Sequence, residues 1–408
     1  MTGKPWHTDK WYVSPWNYLA EVTKDHTFAK GIQVHDMTLR DGEQQAGIAF
    51  TKDDKIRIAE KLAEAGVHRI EAGMPAVSPD DAAAIREIAR RSLGPEIYAF
   101  SRCMIDDVQR AVDCGVKGVV MEIPSSEHIV GYAYQWPLEK AIELSITSTR
   151  FAHEQGLKVV FFPIDSTRAD IDWYLDLIAK VATEGHMDAL AVVDTFGVLA
   201  PHAIRYLIRR TRERISKPLE LHFHNDFGMG VANTILGLAA GAEVFHTTVL
   251  GIGERAGSAA LEEVALALLT MYGIDLGLRY DRLCALATLV KELSRQAVPS
   301  NKAIVGDLLF SVESGIIASW LKNCGDEHVL EVFPFRSELV GQRHPGAVLG
   351  KNSGKDSIQM WLDRLGMQAD AAGVQEILNV VKEEAVRKKR LLDEDEFRAI
   401  VRRVLGTV

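Results

Sequence analysis

Two histidines, His222 and His224, flank Phe223 at the end of a short strand-forming run, Leu219-Glu220-Leu221-His222-Phe223-His224. Residues i and i+2 of a strand point to the same side, so both imidazoles can reach one ion. An HxH pair alone also suits histidines satisfied within a core or at a surface. A third donor strengthens the metal reading: Asp41 follows the first strand-like run, next to Arg40. One carboxylate oxygen with two imidazole nitrogens accepts Zn, Mn, Co, Fe or Mg, and leaves positions open for substrate oxygens. Arg40 beside such an ion would be a second electrophile. Together they could polarise the carbonyl of a 2-oxo acid, or stabilise an enolate as charge builds. The structural alternative for Arg40 is an ion pair with Glu71 or Asp36.

Those residues need elements to hold them. Strand-like runs fall at 31–38, 68–73, 96–102, 118–125, 158–165, 189–195, 219–224 and 244–251. Amphipathic stretches separate them. In 52–65, Ile56, Ile58, Ala59, Leu62 and Ala63 share one side; in 168–184, Ile171, Leu175, Ile178 and Val181 do so. The fold class is therefore α/β: eight βα units suit a closed (β/α)8 TIM barrel over 31–285. The competing arrangement is an open doubly wound sheet, which should concentrate its polar residues near one switch point. Here polar residues end nearly every strand run. A Trp-rich lead-in occupies 1–30, with Trp6, Trp11, Tyr12 and Trp16 available to plug the barrel bottom or meet another subunit. Residues 286–408 form mostly helical accessory subdomains, and the basic run from Arg387 to Arg390 suits a solvated helix face.

The whole-chain properties set limits on partners. The formal net charge of −9 argues against general binding of nucleic acid, although a small basic pocket remains compatible with it. The four cysteines, Cys103, Cys114, Cys284 and Cys324, stand far apart with no CxxC pair, which suits reduced thiols in a cytoplasmic protein. No stretch approaches 18 uninterrupted apolar residues, so neither secretion nor a membrane span is expected.

Five motifs then occur in a familiar order. His35 to Gln44 read HDMTLRDGEQ, Ile70 to Gly73 read IEAG, and Asp194 to Gly197 read DTFG. His222 to Asp226 read HFHND, and Gly253 to Gly257 read GERAG. The set resembles the DRE-TIM metallolyases, in the branch of the 2-isopropylmalate, homocitrate and citramalate synthases. The NKAIVG run at 301–306 and the LGKNSGK run at 349–355 extend the resemblance past the barrel.

The resemblance implies condensation of an acyl-CoA, in the family acetyl-CoA, with a 2-oxo acid in amino-acid biosynthesis. It implies Asp41, His222 and His224 as ligands of a divalent metal (Mn, Mg or Zn, with Co or Fe also compatible). Arg40 and Glu71 would complete the Asp-Arg-Glu triad, with Arg40 polarising the ketone. Gln44 would lie near the substrate, Thr195 would bind the 2-oxo acid carboxylate, and His128 would face the substrate pocket, which Arg102 would help shape. The loop with Gly253, Glu254, Arg255 and Gly257 would lie near the metal and the pantetheine arm. The resemblance also implies a homodimer in which the apolar run at 308–321 is covered by a neighbour, and no leucine feedback through a C-terminal regulatory domain.

The sequence departs from the branch at several of these places. Ile317 stands where the SGIH motif of the synthases carries the histidine that serves in proton transfer, and Val312 replaces an earlier histidine. A tyrosine expected before a glutamate aligns with Leu330. The PED of strand five is Pro163-Ile164-Asp165, and the AGN after strand eight is Ala256-Gly257-Ser258, where Ser258 offers the metal site a shorter oxygen or a water-mediated contact. Isoleucine transfers no proton. Another residue could act instead, with His328, His344, Glu313 and Asp165 as candidates. Otherwise the metal and Arg40 could serve a carbon–carbon lyase or aldolase running in the reverse direction, or a noncatalytic ligand-binding protein.

Overall fold

The computed structural model describes residues 3–406, which form two compact units. The larger runs from Trp16 to Val298; the second combines the residues up to Pro15 with those from Pro299 onward.

The larger unit is a closed barrel of eight parallel strands in sequential order. They are β1 (Gln33–Asp36), β2 (Arg69–Glu71), β3 (Glu96–Arg102), β4 (Gly118–Pro124), β5 (Lys158–Ile164), β6 (Ala189–Asp194), β7 (Leu219–Phe223) and β8 (Val244–Thr247). Closure is made by β1 pairing with β8, in register from Gln33 with Val244 to Asp36 with Thr247. An open sheet is thereby excluded. Both faces of these strands are covered, which is why they read as near-continuous Val, Ile and Ala runs with little alternation.

The helices start where their side chains can satisfy free amide groups. Thr51 and Asp54 form a reciprocal capping box at Lys52–Ala65, and Gly66 ends that helix in the left-handed conformation. Asp170 caps Ile171–Glu184 by accepting from the Asp172 and Trp173 amides. Part of the lead-in covers the barrel's N-terminal end. Tyr18 donates to the Thr270 carbonyl at 2.7 Å, the Thr27 amide donates to Ala239 at 2.8 Å, and His26, Phe28 and Tyr272 cluster.

A layer of Tyr98, Phe100, Val120, Val160, Phe162, Ala191 and Val193 fills the barrel lumen. Beside it lies a buried polar array that hydropathy gives no hint of. Arg69 donates to Glu220 at 2.6 Å, and His246 lies 2.8 Å from the other Glu220 oxygen. His246 stacks on His35 with ring centroids 4.5 Å apart, and His35 bonds Glu71 at 3.2 Å. Burial and the neighbouring His246 push His35 down to about 4, so the His35 ring is neutral near pH 7.

The second unit has its own core, in which Trp361, Leu362, Ile377, Val381, Phe397 and Val401 pack. Its helices are Gly315–Cys324, Lys355–Arg364, Ala371–Lys388 and Glu394–Leu405. Two very short strands, Ser311–Val312 and Gly346–Ala347, pair in parallel. The start of the lead-in belongs here: the Tyr12 amide donates to Pro334 and the Arg336 amide to Lys10. Val312 and Ile317 both pack in an apolar cluster with Phe310, Ala318 and Leu321. Those two positions are therefore structural in this chain. Ile316 and Trp320, in the run expected to meet a neighbour, are 68% and 52% exposed.

All four cysteines are free, and no helix among the described residues is long and apolar enough to cross a membrane.

Candidate active site and metal centre

The C-terminal ends of β1, β2 and β7 bring the triad and the two histidines together. Asp41 and Arg40 lie on the turn after β1, Glu71 ends β2, and His222 lies on β7 with His224 just beyond it. All five are buried.

Each imidazole is held by its Nδ1. In His224 this nitrogen lies 3.1 Å from the Gly257 carbonyl, and a carbonyl only accepts, so Nδ1 carries the proton. In His222 it lies 3.2 Å from the Met37 sulfur. Both Nε2 lone pairs are then left to point at one spot, 3.1 Å apart. Two nitrogens about 2.1 Å from a shared ion at roughly right angles stand about 3 Å apart. Asp41 Oδ1 is 3.9 Å from His224 Nε2, and Asp41, His222 and His224 form a group that could hold a metal ion. Ser258 donates to Asp41 Oδ2 at 2.7 Å, so its first effect is to orient the carboxylate. Burial and the facing His224 hold His222 well below the usual histidine range, so its lone pair is available.

Arg40 is the hub beside this group. Its Nε donates to Glu71, and one terminal nitrogen donates to Asp41 at 3.2 Å and to Gln44 at 3.1 Å. The guanidinium lies 4.0 Å over the Phe100 ring. Burial alone would push the Glu71 carboxyl up, but Arg40 and His35 outweigh it and hold it at about 2. The ion pair weighed in the sequence is thus present, with Glu71 as the partner. Asp36 instead accepts from the amide and hydroxyl of Thr38, at 3.0 and 3.1 Å.

The remaining residues ring the mouth. Gln44 is exposed there. Thr195 accepts from the Asp165 amide at 2.7 Å, and its carbonyl accepts from Arg255. His128 lies 3.0 Å from Asp165, whose oxygens also take Ser126 and Arg168. Arg102 is clamped in a bidentate pair on Asp107, at 2.6 and 3.1 Å. In the loop after β8, Arg255 pairs with Asp226 at 2.9 Å and lies 5.1 Å from the Phe196 ring. Glu254 is exposed beside it. Gly253 runs past Asp41 so closely that a Cβ would stand 3.0 Å from Oδ2. Gly257 has φ +78°, and a Cβ there would lie 1.8 Å from the Gly251 carbonyl.

Met121 has the opposite pleat parity to lumen-facing Val120 and is turned toward the helices. Glu122 has the lumen parity. Sequence spacing could not choose between the two, because both faces of β4 are buried.

Known proteins now give this geometry its context. The HMGL-like family model matches residues 31–290. The putative (R)-citramalate synthase CimA of Archaeoglobus fulgidus is 40% identical over 375 residues, covering 92% of this chain and 75% of that protein. The homocitrate synthase AksA of Methanothermobacter thermautotrophicus is 37% identical over 399 residues, covering 98% and 99%. A probable 2-isopropylmalate synthase of Ignicoccus hospitalis is 39% identical over 380 residues, covering 92% and 93%. Among solved structures, the HMG-CoA lyase of Bacillus subtilis superposes with a TM-score of 0.60 at 20% identity, over 67% of this chain and 97% of its own; this likeness concerns the fold alone. A family match running through the whole barrel, with relatives this similar over more than nine tenths of the chain, shows that this protein belongs to the HMGL-like, DRE-TIM family.

Proposed function

We propose that this protein is a divalent-metal-dependent condensing enzyme of the Claisen type. It would join an acyl-CoA to a 2-oxo acid, giving a 2-hydroxy-2-alkyl diacid and free CoA. The observation that carries the reading is the convergence of Asp41 and the two Nε2 atoms beside the Arg40 guanidinium. Support comes from relatives named as synthases whose identity continues past the barrel.

The residues fit a metal because both imidazoles have their protons committed elsewhere and their free nitrogens aimed together. When bound, a divalent ion supplies a Lewis acid for the oxygens of a 2-oxo acid. Arg40 would donate to the ketone oxygen as negative charge gathers on it, its position set by Glu71 and Gln44. Thr195 would take the substrate carboxylate. The Gly253–Gly257 loop would hold the pantetheine arm across the mouth.

The second reading is a carbon–carbon lyase using the same electrophiles. It is favoured by the apolar packing of buried Val312 and partly buried Ile317, which leaves the second unit without the expected proton-transfer histidine. Both readings are tested together. Purified protein with Mn, Mg or Zn receives acetyl-CoA and a panel of 2-oxo acids while thiol release is followed. Candidate hydroxy-diacids and their thioesters are offered in parallel. Thiol release that depends on a 2-oxo acid is expected. Cleavage without it would favour the lyase, and inertness toward every substrate would sink both.

Gly257→Ala tests the loop. Its carbonyl takes the His224 Nδ1 proton and the Asn225 amide, and the new Cβ would collide with Gly251. We expect metal affinity to fall by about 10- to 100-fold, the usual cost of disturbing a ligand's outer support. A calorimetric metal titration indistinguishable from wild type would remove the loop from the metal site.

A further inference from the structure

The second unit lacks the expected proton-transfer histidine, and the first has a lumen carboxyl with no structural task. Glu122 is the next lumen-facing residue of β4 above Val120, which packs in the lumen layer with Phe100 and Phe162. Its strand neighbours are Arg102 on β3 and Phe162 on β5. Phe100 and Phe162 are also the rings beneath the Arg40 guanidinium, at 4.0 and 5.9 Å. Glu122 thus borders the layer on which the electrophile rests.

The buried acids nearest the site are committed. Glu71 holds Arg40 and His35, and Asp41 takes Ser258 and Arg40. Asp165 takes Ser126, Arg168 and His128, and Asp194 takes Thr167 and the Val198 and Leu199 amides. Of the other candidates, Glu313, His328 and His344 belong to the second unit, where Glu313 accepts the Asn352 amide and His344 pairs with Asp326. Glu122 has a single side-chain hydrogen bond among the described residues, from the Tyr134 hydroxyl to Oε1 at 3.4 Å. Tyr134 ends the π-helical turn Ile129–Tyr134, an element often found at functional sites.

Resting on the condensation reading, we propose that Glu122, held by Tyr134, is the proton-transfer residue of this site. The carboxylate takes a proton from the carbon next to the thioester carbonyl: the C–H bond breaks, an O–H bond forms on Glu122, and the electron pair becomes the enolate. The enolate carbon bonds to the ketone carbon as the ketone π pair moves onto its oxygen, facing Arg40. Glu122 returns its proton to that oxygen. Water then hydrolyses the thioester to a carboxylate and a thiol. By microscopic reversibility the same residue serves cleavage.

The surroundings favour this role. Burial raises the Glu122 carboxyl, with Arg40, Tyr134 and Arg102 opposing and Glu254 reinforcing. These groups face it from the β1 turn, the π-helical turn, β3 and the β8 loop; the Cys103 thiol just past β3 also feels the Glu122 charge, and β5 places Phe162 in register with it. A base whose pKa moves toward the working pH is better matched to proton transfer.

The test follows deuterium entry from D2O into the acetyl-CoA methyl in the presence of Mn and unreactive oxamate, alongside thiol release with the best 2-oxo acid. Glu122→Gln should lower exchange and kcat together by about 10²- to 10⁴-fold, with both KM values within about threefold of wild type. Glu122→Asp should restore part of the exchange, and Tyr134→Phe should cost about tenfold and leave metal content intact. Exchange and kcat in Glu122→Gln within about threefold of wild type would overturn the assignment. So would a loss confined to KM, which marks a merely structural carboxyl. A wild-type enzyme without exchange, condensation or cleavage would instead overturn the condensation reading, and this assignment with it.

Discussion

His224→Ala is expected to lose both bound metal and turnover, the latter by at least about 10³-fold, the scale of removing a preorganised electrophilic partner. The geometry explains why one imidazole matters so much. His224 gives its Nδ1 proton to Gly257, so its Nε2 has no role but as a donor toward the shared point with His222. Removing it leaves two donors, Asp41 and His222, which cannot form the three-sided set that leaves substrate positions open. Metal analysis after gel filtration reads the loss directly. The rise in melting temperature that added metal gives wild type should also disappear, because that rise depends on binding to the folded state. A variant retaining stoichiometric metal and full turnover would show that His224 is not a ligand.

Arg40 is expected to have the second largest effect, separable into catalysis and stability. Arg40→Lys keeps the charge but cannot reach Glu71, Asp41 and Gln44 together from one planar group. We expect kcat/KM to fall by about 10²- to 10³-fold. Arg40→Met should instead lower stability by about 3–5 kcal/mol near neutral pH, the cost of leaving a buried carboxylate without its partner. The pH dependence has a definite sign. In wild type the Glu71 carboxyl is held at about 2, below its ordinary 4.5, so its contribution is present above 4.5 and is lost as pH falls toward 2. In Arg40→Met the burial of Glu71 is no longer outweighed, its carboxyl rises, and stability should partly return as the solution is acidified. Urea unfolding across pH distinguishes these. Parallel curves for the two proteins would mean that Arg40 does not hold Glu71.

The barrel strands and the triad were legible because each rests on a short-range signal. Seven of the eight strand runs lie within two residues of their structural positions, and β3 coincides with 96–102; the run at 244–251 overshoots β8, which ends at Thr247 and gives way to a 3-10 turn at Val249–Gly251. Lys52–Ala65 starts at its capping box, where the sequence placed it. The limits arise where residues far apart meet in the lumen. Nothing local joins His35 to Glu71 and His246, or Glu220 to Arg69, since the partners come from different strands. The direction of Glu122 was hidden because β4 is apolar on both faces, so the pleat has no polar side to mark it. The two-residue strands at 311–312 and 346–347 are too short to leave a periodic pattern.

The joining of the first residues to the far end of the chain has a consequence for biosynthesis. A ribosome releases the segment from Trp16 to Val298 before the residues from Pro299 onward, and every strand of the barrel lies within it. The barrel can therefore close while the chain is still being made, as domains commonly do. The Tyr12 amide and the Lys10 carbonyl must wait for Pro334 and Arg336 to emerge. Until then Trp11 and Tyr12 lie apart from their later backbone partners Phe335 and Pro334, a sticky intermediate for which the second unit is the natural remedy. Production of this protein should accordingly suffer more from truncation after the barrel than barrel stability alone would suggest.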